Sequence, residues 1–140
     1  MTPLHRHRVR VYWEDTDAGG IVYHSNYLNF AERARTEMVR GLGLNQSELA
    51  DRLGCFFAVR HVGMDFLKPA RLDDLLEVES VMTSVGGASM EVLQVIRRLD
   101  DGAELVRLDV KLAFISKDGR PVRIPADLKT SLQALVSERR

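Results

Sequence analysis

From Phe56 to Ser116 the apolar residues of this chain recur at alternate positions, a pattern that few architectures other than an antiparallel sheet accept for so long. Phe57, Val59 and His61 alternate in a first run that ends at Lys68-Pro69. Leu75 to Val85 forms a second, Ser89 to Leu99 a third and Glu104 to Ser116 a fourth. Asp101-Gly102 and Asp118-Gly119 are hairpin-type turns between or after them. In the fourth run Val106, Leu108, Val110, Leu112 and Phe114 face one way, and Arg107, Asp109 and Lys111 the other. The third run places Met90, Val92 and Ile96 on one face but Leu93 and Val95 on the opposite one. That pattern predicts a strand covered on both sides, by a helix and by another subunit.

The cover for the sheet comes earlier in the chain. Between Asn26 and Leu42, residues Tyr27, Phe30, Ala31, Ala34, Met38 and Leu42 recur at helical spacing and define one wide apolar face. Glu32, Arg33, Thr36, Glu37 and Arg40 occupy the other side. Ala31 and Ala34 are small enough to let this helix lie close on a sheet, and Gly41 and Gly43 sit where it should stop. Asn45-Gln46-Ser47-Glu48 reads as a capping box opening a short helix through Leu53. Val9, Val11 and Trp13 alternate with Arg8, Arg10 and Tyr12 and predict a first strand. Pro125-Ala126-Asp127 starts a last helix with a stripe of Leu128, Leu132, Leu135 and Val136. One strand, one long apolar helix and then an antiparallel run of strands make an α+β chain, a sheet wrapping a helix. With no linker, repeat or low-complexity stretch, residues 1–140 read as a single domain.

The chemistry is concentrated in the connection Glu14-Asp15-Thr16-Asp17-Ala18-Gly19-Gly20-Ile21-Val22-Tyr23-His24-Ser25-Asn26-Tyr27. Gly19-Gly20 admits backbone angles that other residues resist, and lets a ligand or another chain approach the main chain. Ser25 and Asn26 are both able to accept hydrogen bonds from free N–H groups of a first helical turn. An acid facing a helix N-terminus suits a reaction that builds negative charge on oxygen. Composition also allows a plainer role, with Asp15 and Asp17 as turn and capping residues and Gly-Gly as a bend.

The run VYWEDTDAGGIVYHSNYLNFAERARTEMVR, Val11 to Arg40, resembles the signature of the 4-hydroxybenzoyl-CoA thioesterase family, and within it the acyl-CoA thioesterases associated with the Tol-Pal system of Gram-negative bacteria. Asp65-Phe66-Leu67-Lys68-Pro69-Ala70 and the closing strands agree in character, while Trp13 stands where a second tyrosine is expected. The resemblance implies a hot-dog fold, an antiparallel sheet wrapped around one long central helix. It also implies a homodimer with a continuous sheet, pairing into a homotetramer, with active sites at the dimer interface. It implies hydrolysis of an acyl-CoA to free acid and CoA, without cofactor. Asp17 is then the nucleophile or general base, and backbone N–H groups near Tyr23, His24 and Ser25 polarise the carbonyl. His24 orients substrate, water or Asp17, or else only bonds locally at the helix start. Asp15 is the competing carboxylate, although acids two apart on a strand end point to opposite sides.

Further candidates follow from the substrate. Phosphates of CoA call for basic groups, and Lys68, Arg71, Lys117 and Arg120 lie at strand ends or turns, where solvated surface charge is the competing role. The small-residue turn from Ser84 through Gly86 to Ser89 leaves room for pantetheine or nucleotide, or simply joins two strands. His5, His7, His24 and His61 have no persuasive metal spacing, so no metal is expected. Cys55, in an apolar Gly-Cys-Phe-Phe setting, reads as a structural thiol, and no Gly-x-Ser-x-Gly elbow surrounds Ser25. Lys+Arg and Asp+Glu both number 20, which argues against a nucleic-acid partner, while an acyl carrier protein is a possible protein partner. A lone cysteine and no long apolar run predict a soluble, cytoplasmic protein. Two other readings compete. A hot-dog hydratase or dehydratase would need a different His and Glu arrangement on the helix, which here offers Glu32 and Glu37 but no histidine after His24. A non-catalytic acyl-CoA or acyl-carrier-protein binding partner of an envelope complex would bind without turnover.

Overall fold

A computed structural model describes residues 5–43 and 46–138. The strands are β1 His5–Arg10, β2 Cys55–Phe66, β3 Leu75–Val85, β4 Ser89–Arg98 and β5 Glu104–Ser116; the helices are α1 Asn26–Arg40, α2 Gln46–Leu53 and α3 Ala126–Glu138. The strands form one sheet in the order β1-β3-β4-β5-β2, with every pairing antiparallel. This is the expected hot-dog arrangement.

The helix lies on the face that alternation marks as apolar. Val106, Leu108, Val110, Leu112 and Phe114 of β5 are all buried, as are Leu76, Val78 and Met82 of β3. Tyr27, Phe30, Ala31, Ala34 and Met38 of α1 close over them. Two polar residues are buried in this layer: Gln94 on β4 is 1% exposed and Arg35 on α1 is 8% exposed. Gln94 donates through Nε2 to the Ala31 carbonyl and to Ser80 Oγ, both at 3.0 Å, and accepts from Arg35 Nη1 at 3.0 Å. The short Ala31 side chain is what lets a strand residue reach the helix backbone.

The other sheet face carries ion pairs. Arg8 meets Glu77 at 3.5 Å, Arg97 meets Glu79 at 2.7 Å, and Lys111 meets Glu91 at 3.9 Å. Leu93 lies among these charges, 38% exposed, so the second cover expected on β4 is not supplied by the described residues of this chain.

Local boundaries differ from expectation in instructive ways. The first strand is His5–Arg10 rather than Val9–Trp13, and Trp13–Asp15 forms a 3-10 turn. Asp15 Oδ2 accepts the Tyr12 amide at 2.8 Å and Thr16 donates to the Trp13 carbonyl at 3.1 Å, which bends the chain away from the sheet. Tyr12 and Trp13 are left 61% and 78% exposed. α1 ends at Arg40, short of Leu42; Gly41 is still helical, and Gly43, at φ 79°, is the left-handed residue. The expected capping box begins at Asn45, outside the described residues.

Candidate active site

Asp17 sits at the mouth of a tight hairpin. Its amide donates to the Ile21 carbonyl at 2.9 Å, its carbonyl accepts the Gly20 amide at 3.0 Å, and Thr16 bridges to Val22. This is a three-residue loop ended by a left-handed glycine, and Gly20 has φ 81°. The neighbouring glycine does a separate job. Gly19 donates its amide to Asp17 Oδ1 at 2.8 Å, and a Cβ at Gly19 would lie 3.2 Å from that oxygen. The loop therefore pins one carboxylate oxygen of an exposed acid and engages the other in no hydrogen bond among the described residues.

The start of α1 departs from the capping expected of Ser25 and Asn26. Ser25 is already helical, with φ −71° and ψ −19°, so its hydroxyl caps nothing; an N-cap side chain needs extended backbone to reach back. Asn26 instead donates its side-chain amide to the Asp15 carbonyl at 2.9 Å, and its Oδ1 accepts from Asn29 Nδ2 at 3.1 Å. The Tyr23 amide donates to the same Asp15 carbonyl at 2.9 Å. Tyr23 is thus removed as an oxyanion donor, because its N–H is already used. Among the described residues the amides of His24 and Ser25 have no acceptor. Asp15 is committed at both ends, with its carboxylate on Tyr12 and its carbonyl on the helix start.

A cleft of about 360 Å³ opens beside Asp17 and His24. Phe66, Leu67, Lys68 and Pro69, from the end of β2, form its opposite wall, and Tyr27 contributes to its floor. Backbone pairing and one side-chain hydroxyl join the two sides. Val22 donates to the Ala70 carbonyl at 2.9 Å, Ile21 bridges to Arg71, and the Ala70 amide donates to the Tyr27 hydroxyl at 2.9 Å. Burial pushes the Tyr27 phenol up from its ordinary pKa, against the smaller lowering influence of the Ala70 amide. Phe66 and Leu67 are 53% and 47% exposed, and Phe66 lies 5.9 Å from Tyr27 between ring centres. In the sequence this segment, Asp65-Phe66-Leu67-Lys68-Pro69-Ala70, is marked only by the resemblance, and nothing in it places the segment opposite Asp17.

The remaining candidates divide by position. Lys68 lines the cleft. Arg71 is on the adjoining rung, exposed, with its amide on Asp74 Oδ2 at 2.9 Å. Tyr23 packs on His24, with 4.4 Å between ring centres. Ser84 and Gly86 are not brought to the cleft in this chain; the Asp17 loop borders the Leu75 end of β3, and they lie at the Val85 end, roughly 30 Å away at strand rise. Gly86 is a tight corner there, where a Cβ would meet Ser89 Oγ at 2.9 Å. Lys117 and Arg120 belong to the turn after β5, also at that far end. Cys55 is 7% exposed, with Sγ 3.3 Å from the Leu53 carbonyl. Among the described residues no group of His, Cys, Asp and Glu is arranged to hold a metal ion, and no helix is long and apolar enough to cross a membrane.

Residues 19–104 match the model of the thioesterase superfamily. The chain belongs to that family. The match begins two residues past Asp17, so the superfamily assignment does not depend on the acid. The chain is 41% identical over 128 residues to the acyl-CoA thioesterase YbgC of Haemophilus influenzae, covering 91% of this chain and 93% of that one. It is 50% identical over 94 residues to the acyl-CoA thioester hydrolase YbgC of Escherichia coli, covering 66% of this chain and 69% of that one. The crystal structure of a probable thioesterase from Bartonella henselae superposes with a TM-score of 0.81 at 38% identity, covering 86% of this chain and 98% of that one. Against the thioesterase superfamily, the hairpin acid, the helix start and the apolar cleft form one candidate site.

Proposed function

We propose that this chain hydrolyses the thioester of an acyl-CoA to the free acid and CoA. One observation carries the reading. The free oxygen of Asp17 and the unpaired amide of His24 belong to residues lining the same cleft, at the N-terminus of a buried helix. Asp17 removes a proton from the attacking water, or adds to the carbonyl itself to give an anhydride that water then cleaves. The carbonyl electrons move onto oxygen and are stabilised by the amides of His24 and Ser25. Their return expels the thiolate of CoA, which is protonated as it leaves. His24 orients substrate or water beside Asp17. Gly20 and Tyr23 border the approach, and Lys68 and Arg71 favour the phosphates.

The reading includes assembly. β2 is an edge strand of 12 residues whose outer side pairs with no strand among the described residues, and long unpaired edges invite a partner strand. Two copies joined along β2 make a continuous sheet and a homodimer, and the open sheet face around Leu93 supports pairing of dimers into a homotetramer. Ser84 and Gly86 reach substrate, on this reading, from a neighbouring protomer.

The test is free-thiol release from a panel of acyl-CoA thioesters by purified protein, with acyl carrier protein thioesters in parallel. Turnover of at least one substrate is expected. Tight CoA binding with no thiol release from any of them would refute hydrolysis.

A further inference from the structure

Arg35 lies in the middle of α1 and points onto the sheet, where Gln94 accepts one of its N–H groups at 3.0 Å. The rest of Gln94 does not serve it, since the side-chain N–H groups of Gln94 donate to Ala31 and Ser80. No carboxylate pairs with this guanidinium among the described residues, although it is only 8% exposed. Charges are rarely so buried without a counter-ion, since desolvation penalises them heavily. Burial accordingly pulls the Arg35 pKa below its ordinary value, with the charge of Glu32 opposing.

Arg35 borders a second cleft, of about 210 Å³, with Glu32, Thr36, Phe57 and Val59. Glu32 is one turn earlier on the same helix, exposed, and has neither an ion pair nor a hydrogen bond among the described residues. Residues three apart on a helix are able to meet. Here they do not, because Arg35 turns inward to Gln94 while Glu32 faces out. One patch thus carries a cation and an anion side by side that act on each other through space but form no close ion pair among the described residues. Such a patch is self-complementary under two-fold symmetry, where residue i meets j and j meets i. Phe57 and Val59 of the same cleft belong to β2, and Val59 is 48% exposed, so a copy that extends the sheet along β2 also covers this cleft.

We propose that Glu32 of each protomer pairs with Arg35 of the other, two reciprocal ion pairs that complete the dimer. The proposal rests on the dimer of the functional reading and names the charges that select its partner.

Trans-complementation tests it, with self-association measured by sedimentation. Glu32→Arg and Arg35→Glu should each weaken the dimer by at least about tenfold per pair, hence about a hundredfold for two pairs. An equimolar mixture of the two variants should restore association to within a fewfold of wild type, because the heterodimer regains both pairs. Failure of the mixture to associate, with both variants folded by circular dichroism, would overturn the proposal. Should Arg35→Glu fail to fold, Glu32→Arg decides alone. A raised Kd with unchanged melting of the dilute monomer supports the interchain pair. A destabilised monomer with unchanged Kd means a pair within one chain, and an unchanged Kd and monomer mean no pair; either overturns it. A monomeric wild type would refute the dimer reading itself and this proposal with it.

Discussion

Asp17→Asn separates the chemistry of the hairpin from its architecture. Asn retains a carbonyl oxygen at the Oδ1 position, so the Gly19 amide keeps its acceptor and the loop keeps its 2.8 Å bond. What disappears is the second, free oxygen and the negative charge. Loss of a general base costs about 10²–10⁴ in rate. That corresponds to about 3–6 kcal/mol of barrier, at about 1.4 kcal/mol per decade. A nucleophile forming a covalent intermediate would cost more. The assay is kcat/KM for thiol release, with melting temperature and CoA affinity measured on the same preparation. Asp15→Asn is the control. Its Oδ2 partner is the Tyr12 amide, which an Asn oxygen also serves, so stability should change little and turnover less. Near-normal turnover of the Asp17 variant would refute the mechanism. So would a matched loss of melting temperature in both variants with no selective effect on rate.

Gly19→Ala puts a Cβ 3.2 Å from Asp17 Oδ1 and should lower kcat by up to about 10²-fold through misplacement, with melting temperature little changed. Tyr27→Phe leaves the Ala70 amide without its acceptor in a buried position, and should cost about 1–3 kcal/mol in denaturant unfolding. His5 is held below its ordinary pKa first by burial and then by His7, with Glu37 opposing. The unfolded chain therefore binds its proton first as pH falls, so stability should drop as pH descends through about 6.5, and His5→Gln should flatten that part of the melting-temperature profile. EDTA should leave thioester hydrolysis unchanged; loss restored by a divalent ion would mean that a metal takes part in the reaction.

The sheet was legible because alternation survives wherever one face is buried, and β5 obeys it from Val106 to Phe114. The same rule misled at Tyr12 and Trp13. Their alternation with Val11 mimics a strand, and only the bond from the Tyr12 amide to the Asp15 carboxylate shows why the chain leaves the sheet there. Gln94 and Arg35 are illegible in the sequence because a polar residue in an apolar stripe reads as an interruption, whereas here Gln94 accepts one Arg35 N–H inside the core. The capping role of Ser25 depended on backbone angles that residue type does not specify. The acid and its glycines were visible as neighbours. The wall of Phe66 to Pro69 was not, because its place opposite Asp17 is set by long-range pairing.

That pairing has a consequence for synthesis. The hairpin from Thr16 to Val22 closes through contacts within a few residues, so it is able to form soon after it leaves the ribosome. The bond that positions it, from the Val22 amide to the Ala70 carbonyl, spans a loop whose closure is slower and entropically dearer. Until Ala70 emerges and docks on Tyr27, the nascent chain carries its acid but no pocket. On the hydrolytic reading proposed above, the site is complete only once the sheet is.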